Sequence, residues 1–204
     1  RTQNRPLVTG ALTPRAAMIF AIALEIVAFG VLWAGANLLA AILAVSATLF
    51  YVFVYSLWLK RTSKQNIVIG GAAGAMPVLV GWAAVTNSLG WAPVVLFVVI
   101  FLWTPPHFWA LAIRHADDYK AVGVPMMPVV VSLERTVRSM TVYAVLLTIS
   151  TLVLIPVANL GWIYGITALI FGVAFVIGAI RLGSDPSPKR SMRLFTFSIT
   201  SVTA

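Results

Sequence analysis

The chain has 204 residues, of which 61% are hydrophobic and only 9% are charged, and its 14 basic and 5 acidic side chains give a net charge of +9. Soluble domains are about one quarter charged and about half apolar, so this composition excludes an ordinary soluble domain. The basic residues lie in short clusters between long uncharged stretches, which argues against a nucleic-acid-binding face, and no nucleic acid partner is expected. The sequence contains no cysteine, which excludes disulfides and thiolate sites.

Two stretches, 65–113 and 139–180, contain no Asp, Glu, Lys or Arg. Each is about twice the ~20 apolar residues that cross a bilayer. Helices satisfy their own backbone in lipid, so these stretches, divided at turn-forming residues, predict an all-α polytopic membrane protein with about seven transmembrane helices. The predicted helices cover 16–35, 39–58, 67–85, 91–113, 137–158, 162–180 and a last segment from 194.

All Lys and Arg residues precede the first predicted helix or follow the second, fourth or sixth. If every helix crosses the membrane once, these positions share one side. The positive-inside rule predicts that this side is cytoplasmic, in a multi-pass protein of the cell (plasma) membrane. The segments 59–66 and 114–136 are the predicted active-site loops on that side.

Asp117 and Asp118 begin the longer of these loops. On a helix that continues from His107, Arg114 and Asp118 share one stripe, whereas Asp117 is turned away. A carboxylate beside basic groups suits a diphosphate bridged by Mg²⁺, because Mg²⁺ takes one or two carboxylates and completes its shell with substrate phosphates. The alternative is a solvated helix end with an ion pair between Arg114 and Asp118.

Lys60, Arg61 and Lys64 make the shorter loop strongly basic. These side chains can donate charge-assisted hydrogen bonds to phosphate oxygens. They can equally be the basic residues that any cytoplasmic loop of a membrane protein carries. The spacing alone does not choose between the two interpretations.

An aromatic stripe, Tyr51, Tyr55 and Trp58, leads into that loop at helical spacing. Such a stripe is usually a packing surface or part of an interfacial belt. Aromatic faces also stabilise positive charge, so the stripe can instead form the wall of a cavity in which a cation develops.

Pro105 and Pro106 interrupt the fourth predicted helix, where they remove two backbone donors and free the carbonyls of Phe101 and Leu102. Those carbonyls need a polar partner or a wet cavity, so we expect the break to face the bundle interior. His107, which follows, is a candidate ligand, proton carrier or hydrogen-bonding plug for the kink.

Two further positions are notable inside the predicted spans. Gly70 and Gly74 have the spacing of a close helix–helix contact. Glu25 is an acidic residue halfway along the first helix, where a neutral, hydrogen-bonded carboxylic acid is expected. A transporter would more often show paired mid-membrane charges or inverted repeats, and neither is present in the sequence.

Three segments together resemble one family. They are RTQNRPL at 1–7, LKRT at 59–62 with QNIVIGG at 65–71, and TPPHFWALAI at 104–113. In this order they resemble the heme O synthase (protoheme IX farnesyltransferase) family of UbiA-type intramembrane prenyltransferases. The resemblance covers essentially the whole chain and implies a nine-helix bundle whose central cavity opens to the cytoplasm and laterally to lipid.

The resemblance implies farnesyl diphosphate as donor, heme b as acceptor and Mg²⁺ held by two aspartate-rich motifs. Asp118, followed by Tyr119 and Gly123, matches the second motif, and Asp117 stands beside it as a second implied catalytic and metal-binding residue. The first motif, N-x-x-x-D-x-x-x-D, would lie upstream of Arg1 together with two more helices. We therefore expect one transmembrane domain, 1–204, that is truncated at both ends and inactive alone.

Lys60 and Arg61 match the basic loop that binds the diphosphate in such enzymes. Tyr55 lies one residue further from Lys60 than in quinone-type members of the family. The implied substrate-binding residues are Arg5, Tyr51, Tyr55, Asn66, His107, Arg114 and Lys120. For His107 the implied contact is with heme, through either the iron or a propionate.

The implied reaction is electrophilic prenyl transfer to a heme vinyl group. Heme A synthase or a terminal oxidase assembly is a possible partner. A quinone or chlorophyll prenyltransferase would share the diphosphate site and differ in acceptor, and the string at 104–113 favours heme. A transporter or non-catalytic subunit is the alternative from another class.

Overall fold

The computed structural model describes residues 4–185 and 187–203, and over these residues the chain forms helices and the turns between them. A π-helical segment, Phe50–Leu59, joins α3 to α4 without a break. The α-helices are α1 (Pro6–Thr9), α2 (Pro14–Gly35), α3 (Leu38–Leu49), α4 (Lys60–Thr62), α5 (Asn66–Thr86), α6 (Trp91–Arg114), α7 (Ala116–Ala121), α8 (Met127–Val130), α9 (Leu133–Ala158), α10 (Trp162–Ser184) and α11 (Pro188–Thr203).

Within the described part of the chain, six helices are long and apolar enough to cross a membrane. They are Pro14–Gly35, Leu38–Thr62, Asn66–Thr86, Trp91–Arg114, Leu133–Ala158 and Trp162–Ser184. The prediction of an all-α polytopic membrane protein is therefore confirmed. The last predicted helix is α11, which begins at Pro188 rather than at 194 and has 16 residues.

Asparagine residues shape the turns at one end of the bundle. The Asn37 side chain accepts a hydrogen bond from the Ala40 N–H at 2.9 Å and donates one to the Ala83 carbonyl at 2.6 Å, so it caps α3 and ties it to α5. Asn87 and Asn159 end α5 and α9 at φ of 49° and 52°, a left-handed conformation that asparagine tolerates. No charged residue lies in these turns.

The opposite end carries the basic residues. Because successive spans alternate in direction, the loop 63–65, the segment 115–132 and the start of α11 lie at the same end. We call this the basic end, and the end with the three asparagine turns the uncharged end. Lys60, Lys64, Arg114 and Lys189 all lie at the basic end.

The core lies between α6, α9, α10 and α11, and Trp109, Met140 and Phe175 are its largest buried apolar side chains. By contrast, α2 buries no residue and packs on α3, and Glu25 on it is only partly exposed. The central helix is therefore α6, which packs against α5, α9 and α11.

Pro105 and Pro106 are both fully buried within α6, as is expected if the break faces the interior. The helix nevertheless continues from Trp91 to Arg114. Thr104 Oγ donates to the Ile100 carbonyl at 2.9 Å, so this hydroxyl is satisfied within its own helix.

Candidate active site

A cavity of about 510 Å³ opens between the π-helical segment, α5 and α6. It occupies the half of the bundle nearer the basic end, and we call it the near cavity. Its volume is within the usual range for sites that bind small molecules. Its lining includes Thr48, Tyr51, Tyr55, Gly74, Thr104 and Phe108.

Glycines in α5 bring two walls of the near cavity together. A Cβ on Gly70 would clash with the ring of Tyr55, and a Cβ on Gly71 would lie 3.0 Å from Cγ2 of Thr104. Close packing at Gly70 is thus confirmed. The predicted contact at Gly74 is wrong, because a Cβ there would meet nothing within 4 Å and would point into open space.

Two residues of the aromatic stripe form part of the near cavity, and the third does not. The rings of Tyr51 and Tyr55 lie 5.3 Å apart at 34° on its wall. Trp58 is 62% exposed and is not in the lining, so its interpretation as cavity wall is wrong, whereas the alternative of an interfacial belt fits this exposure. The stripe assumed 3.6 residues per turn, whereas this segment is a π-helix with i→i+5 bonds and a wider turn, as between the Lys60 N–H and the Tyr55 carbonyl.

Asn66, the first residue of α5, is only 1% exposed. Its side-chain nitrogen donates to the Lys60 carbonyl at 3.5 Å, whereas its Oδ1 is buried without a protein partner. Exchanging the two amide atoms would place two acceptors 3.5 Å apart, so this weak contact favours the orientation in which Oδ1 is left without a donor. A buried acceptor without a donor is costly, so Oδ1 is available to a hydrogen-bond donor or a cation.

Asp118 does not form the expected pair with Arg114. Its Oδ2 lies 3.1 Å from Nδ1 of His115, and its side chain is 66% exposed. The expected stripe required a continuous helix, but α6 ends at Arg114 and α7 begins at Ala116, with His115 between them at φ −110° and ψ 27°. The helical phase is therefore reset, and His115 is a contact of Asp118 that the sequence spacing did not reveal.

Arg114 instead lines a broad groove of about 1070 Å³ with Lys189 and Arg193 of α11. Arg5 and Lys120 are exposed at the same basic end. These three candidate substrate-binding residues are not in the lining of the near cavity.

Lys60 and Arg61 are exposed in α4, and Asp117 and Asp118 are exposed in α7. The two groups share the basic end, and Tyr119 of α7 packs on a small buried cluster formed by Ile67, Ala112 and Met126. Ile67 also lines the near cavity. The acidic segment and the near cavity are thus linked through one small cluster.

Asp117 and Asp118 are adjacent carboxylates, and among residues 4–185 and 187–203 no three His, Asp or Glu side chains form a metal cluster. Mg²⁺ needs only one or two carboxylates when substrate phosphates complete its shell. The donor set therefore fits a metal bound together with a diphosphate.

His107 faces α11. Its ring stacks between Trp103 at 4.1 Å and Phe195 at 4.3 Å, and its Nδ1 lies 2.6 Å from Oγ of Ser198. That hydroxyl donates to the Phe195 carbonyl at 2.6 Å, so its single proton is used and the imidazole Nδ1–H is the donor to Ser198. His107 is thus inside the bundle, but it is not in the lining of the near cavity.

The chain matches the UbiA prenyltransferase family over residues 1–202. It is 52% identical over 200 residues to the protoheme IX farnesyltransferase of Gloeobacter violaceus, covering 98% of this chain and 66% of that protein. It is 53% identical over 201 residues to the protoheme IX farnesyltransferase of Trichodesmium erythraeum, covering 98% of this chain and 61% of that protein. The chain thus spans less than two thirds of the length of these relatives. No solved structure matches the chain.

Proposed function

This chain belongs to the UbiA prenyltransferase family, and from that premise we propose that it acts in the transfer of a farnesyl group from farnesyl diphosphate to a vinyl group of heme b. The product of this reaction is heme O. The relatives that are about half identical to the chain are named protoheme IX farnesyltransferases. The observation that carries the proposal is the near cavity, which is lined by tyrosines and lies in the half of the bundle nearer the end that carries the acidic and basic segments.

The diphosphate binds at the basic end of the bundle. Lys60 and Arg61 donate charge-assisted hydrogen bonds to its oxygens. Asp117 and Asp118 would hold Mg²⁺, and His115 orients the Asp118 carboxylate. A bound Mg²⁺ supplies positive charge that offsets the negative charge developing on the departing diphosphate.

The farnesyl chain occupies the near cavity. When the bond between C1 and the diphosphate oxygen breaks, the electron pair leaves with the diphosphate and C1 becomes cationic. The ring faces of Tyr51 and Tyr55 stabilise that positive charge, and apolar residues such as Ile100 and Phe108 exclude water from it.

The heme vinyl group then supplies the electron pair for the new carbon–carbon bond. The positive charge moves to the vinyl carbon next to the porphyrin ring. Water adds at this carbon and loses a proton, which leaves a hydroxyethylfarnesyl side chain. Asn66 Oδ1 is a buried acceptor without a protein donor, so it can bind a water molecule, but Asn66 itself does not line the near cavity.

His107 is the proposed heme contact. With Nδ1–H donating to Ser198, the other ring nitrogen keeps its lone pair, so this tautomer suits an iron atom rather than an anionic propionate. Covered on both ring faces, the imidazole is reached only at its edge. Of the two forms of heme contact, this tautomer favours iron ligation, which requires that the heme reach a side chain only 7% exposed in this structure.

The proposed location is the plasma membrane, with the basic end cytoplasmic, because the positive-inside rule favours that orientation. Heme A synthase or a terminal oxidase assembly would receive the product as partner.

A test is to supply membranes containing the intact enzyme with heme b and farnesyl diphosphate and to measure the product by mass spectrometry. The product should be heme b that has gained one farnesyl and one hydroxyl group. Transfer to an aromatic quinone precursor, with none to heme, would contradict the proposal.

A further inference from the structure

A second cavity, of about 500 Å³, lies between α6, α9, α10 and α11. Its walls come from the second half of α9 and the first halves of α6 and α10, so it occupies the half of the bundle nearer the uncharged end. We call it the far cavity. Leu96, Leu154 and Phe171 are among its lining residues.

The far cavity is suited to hydrocarbon. The hydroxyls of Thr148, Thr151 and Thr167 donate to carbonyls of their own helices at 2.8–2.9 Å. Tyr164 donates to the Thr151 carbonyl at 3.1 Å, and Ser201 donates to the Ser198 carbonyl at 2.9 Å. Each hydroxyl proton is therefore already used within the protein. A ligand with a charged or polar head would find no free hydroxyl donor there, whereas an apolar chain would need none.

One side chain, Ile100, lines both cavities. Along α6 the near cavity extends from Phe108 to Ile100, and the far cavity continues from Ile100 to Leu96. From Leu96 to Phe108 the helix rises 12 times by 1.5 Å, so the two cavities lie end to end over roughly 18 Å of the helix axis. Ile100 thus stands at the junction of one aromatic, substrate-sized space and one mainly apolar space whose hydroxyl groups are already hydrogen-bonded within the protein.

We infer that Ile100 is the partition that sets the length of the isoprenoid donor, an inference that rests on the proposed function. An isoprenoid whose diphosphate is at the basic end extends down the near cavity towards Ile100. A chain one isoprene unit longer would need the space beyond this residue. Removing the side chain would join the cavities and admit geranylgeranyl diphosphate, whose extra unit is hydrocarbon and matches the far cavity.

The test compares the affinities of the intact enzyme for geranylgeranyl and farnesyl diphosphate, with turnover of each measured alongside. In Ile100→Ala, we expect the ratio of the two affinities to rise about tenfold in favour of the longer chain, the scale on which apolar sites discriminate by methylene groups. Ile100→Val removes less of the side chain and should raise the ratio less. Leu96→Ala is the matched control, because it enlarges the far cavity and leaves the partition intact, so the ratio should not change.

An unchanged ratio in Ile100→Ala, with farnesyl diphosphate affinity retained, would overturn the inference. If Ile100→Ala does not fold, an unchanged ratio in Ile100→Val would overturn it equally. If Leu96→Ala raises the affinity ratio as much as Ile100→Ala does, the inference would also be overturned, because the isoprenoid chain would then reach the far cavity with Ile100 in place.

The binding ratio is independent of the acceptor. If the wild-type enzyme makes heme O but Ile100→Ala leaves the affinity ratio unchanged, only the role of Ile100 as a partition is contradicted. If Ile100→Ala changes the affinity ratio but the wild-type enzyme does not make heme O, only the proposed acceptor is contradicted.

Discussion

The two faces of α6 differ in whether the polar groups on or near them already have hydrogen-bond partners within the protein. On the α11 face, the His107 ring is stacked between two aromatic rings and hydrogen-bonded to Ser198, so no open space remains around this side chain. On the α5 face, glycines leave an open cavity, and nearby Asn66 has a buried oxygen without a partner. Open space with unsatisfied groups indicates a binding role, whereas satisfied groups are what helix packing requires anyway.

The change expected to have the largest effect lies at the basic end, in α7. Asp118→Asn in the intact enzyme should lower farnesyl transfer by about 10²-fold or more, the scale of removing one electrostatic partner of a developing charge. Asp117→Asn should cost less, because His115 contacts Asp118. The measurement is heme O formed per amount of folded protein. Turnover close to that of the wild type in Asp118→Asn would remove this carboxylate from the mechanism.

The second change closes the open face from within. In Gly70→Ala the new Cβ would displace the Tyr55 ring, an overpacking that costs about 1–3 kcal/mol of stability. We expect a lower Tm and weaker farnesyl diphosphate binding. Gly81→Ala on the same helix is the control, since a Cβ there meets nothing within 4 Å. Equal Tm values for the two variants would show that the Tyr55 wall is not tightly packed.

The third change tests whether His107, on the α11 face of α6, has only a structural role. If His107 ligates heme iron, His107→Ala should weaken heme b binding about tenfold or more and leave farnesyl diphosphate binding nearly unchanged. Ser198→Ala removes the hydrogen-bond partner and keeps the ring, so it should cost stability and alter heme affinity less. Heme titration by absorbance and a diphosphate binding assay on both variants separate these outcomes. Unchanged heme affinity in His107→Ala, with a lower Tm, would make this histidine a structural plug.

The amino-acid sequence was sufficient to predict the features set by composition and hydrophobic length. The six long spans, the grouping of basic residues at one end and the buried double proline follow from the cost of exposing charge or free backbone groups to lipid. Local backbone irregularities could not be predicted in this way. The break at His115 depends on a few hydrogen bonds that residue spacing does not encode, and it moved Asp118 away from Arg114.

The π-helical segment is the second such irregularity, and it leads to the prediction with the smallest effect. A regular α-helix would place Trp58 on the cavity wall, but the wider π turn leaves it 62% exposed while Tyr55 stays in the lining. Trp58→Ala should therefore change farnesyl transfer by no more than about twofold, as is usual for a surface site away from function. Tyr55→Ala should lower it much further, because it removes an aromatic face beside the developing cation. Both rates are measured in membranes under identical donor and heme concentrations. A loss in Trp58→Ala as large as in Tyr55→Ala would mean that the segment is α-helical in the working enzyme, with all three aromatic residues on one face.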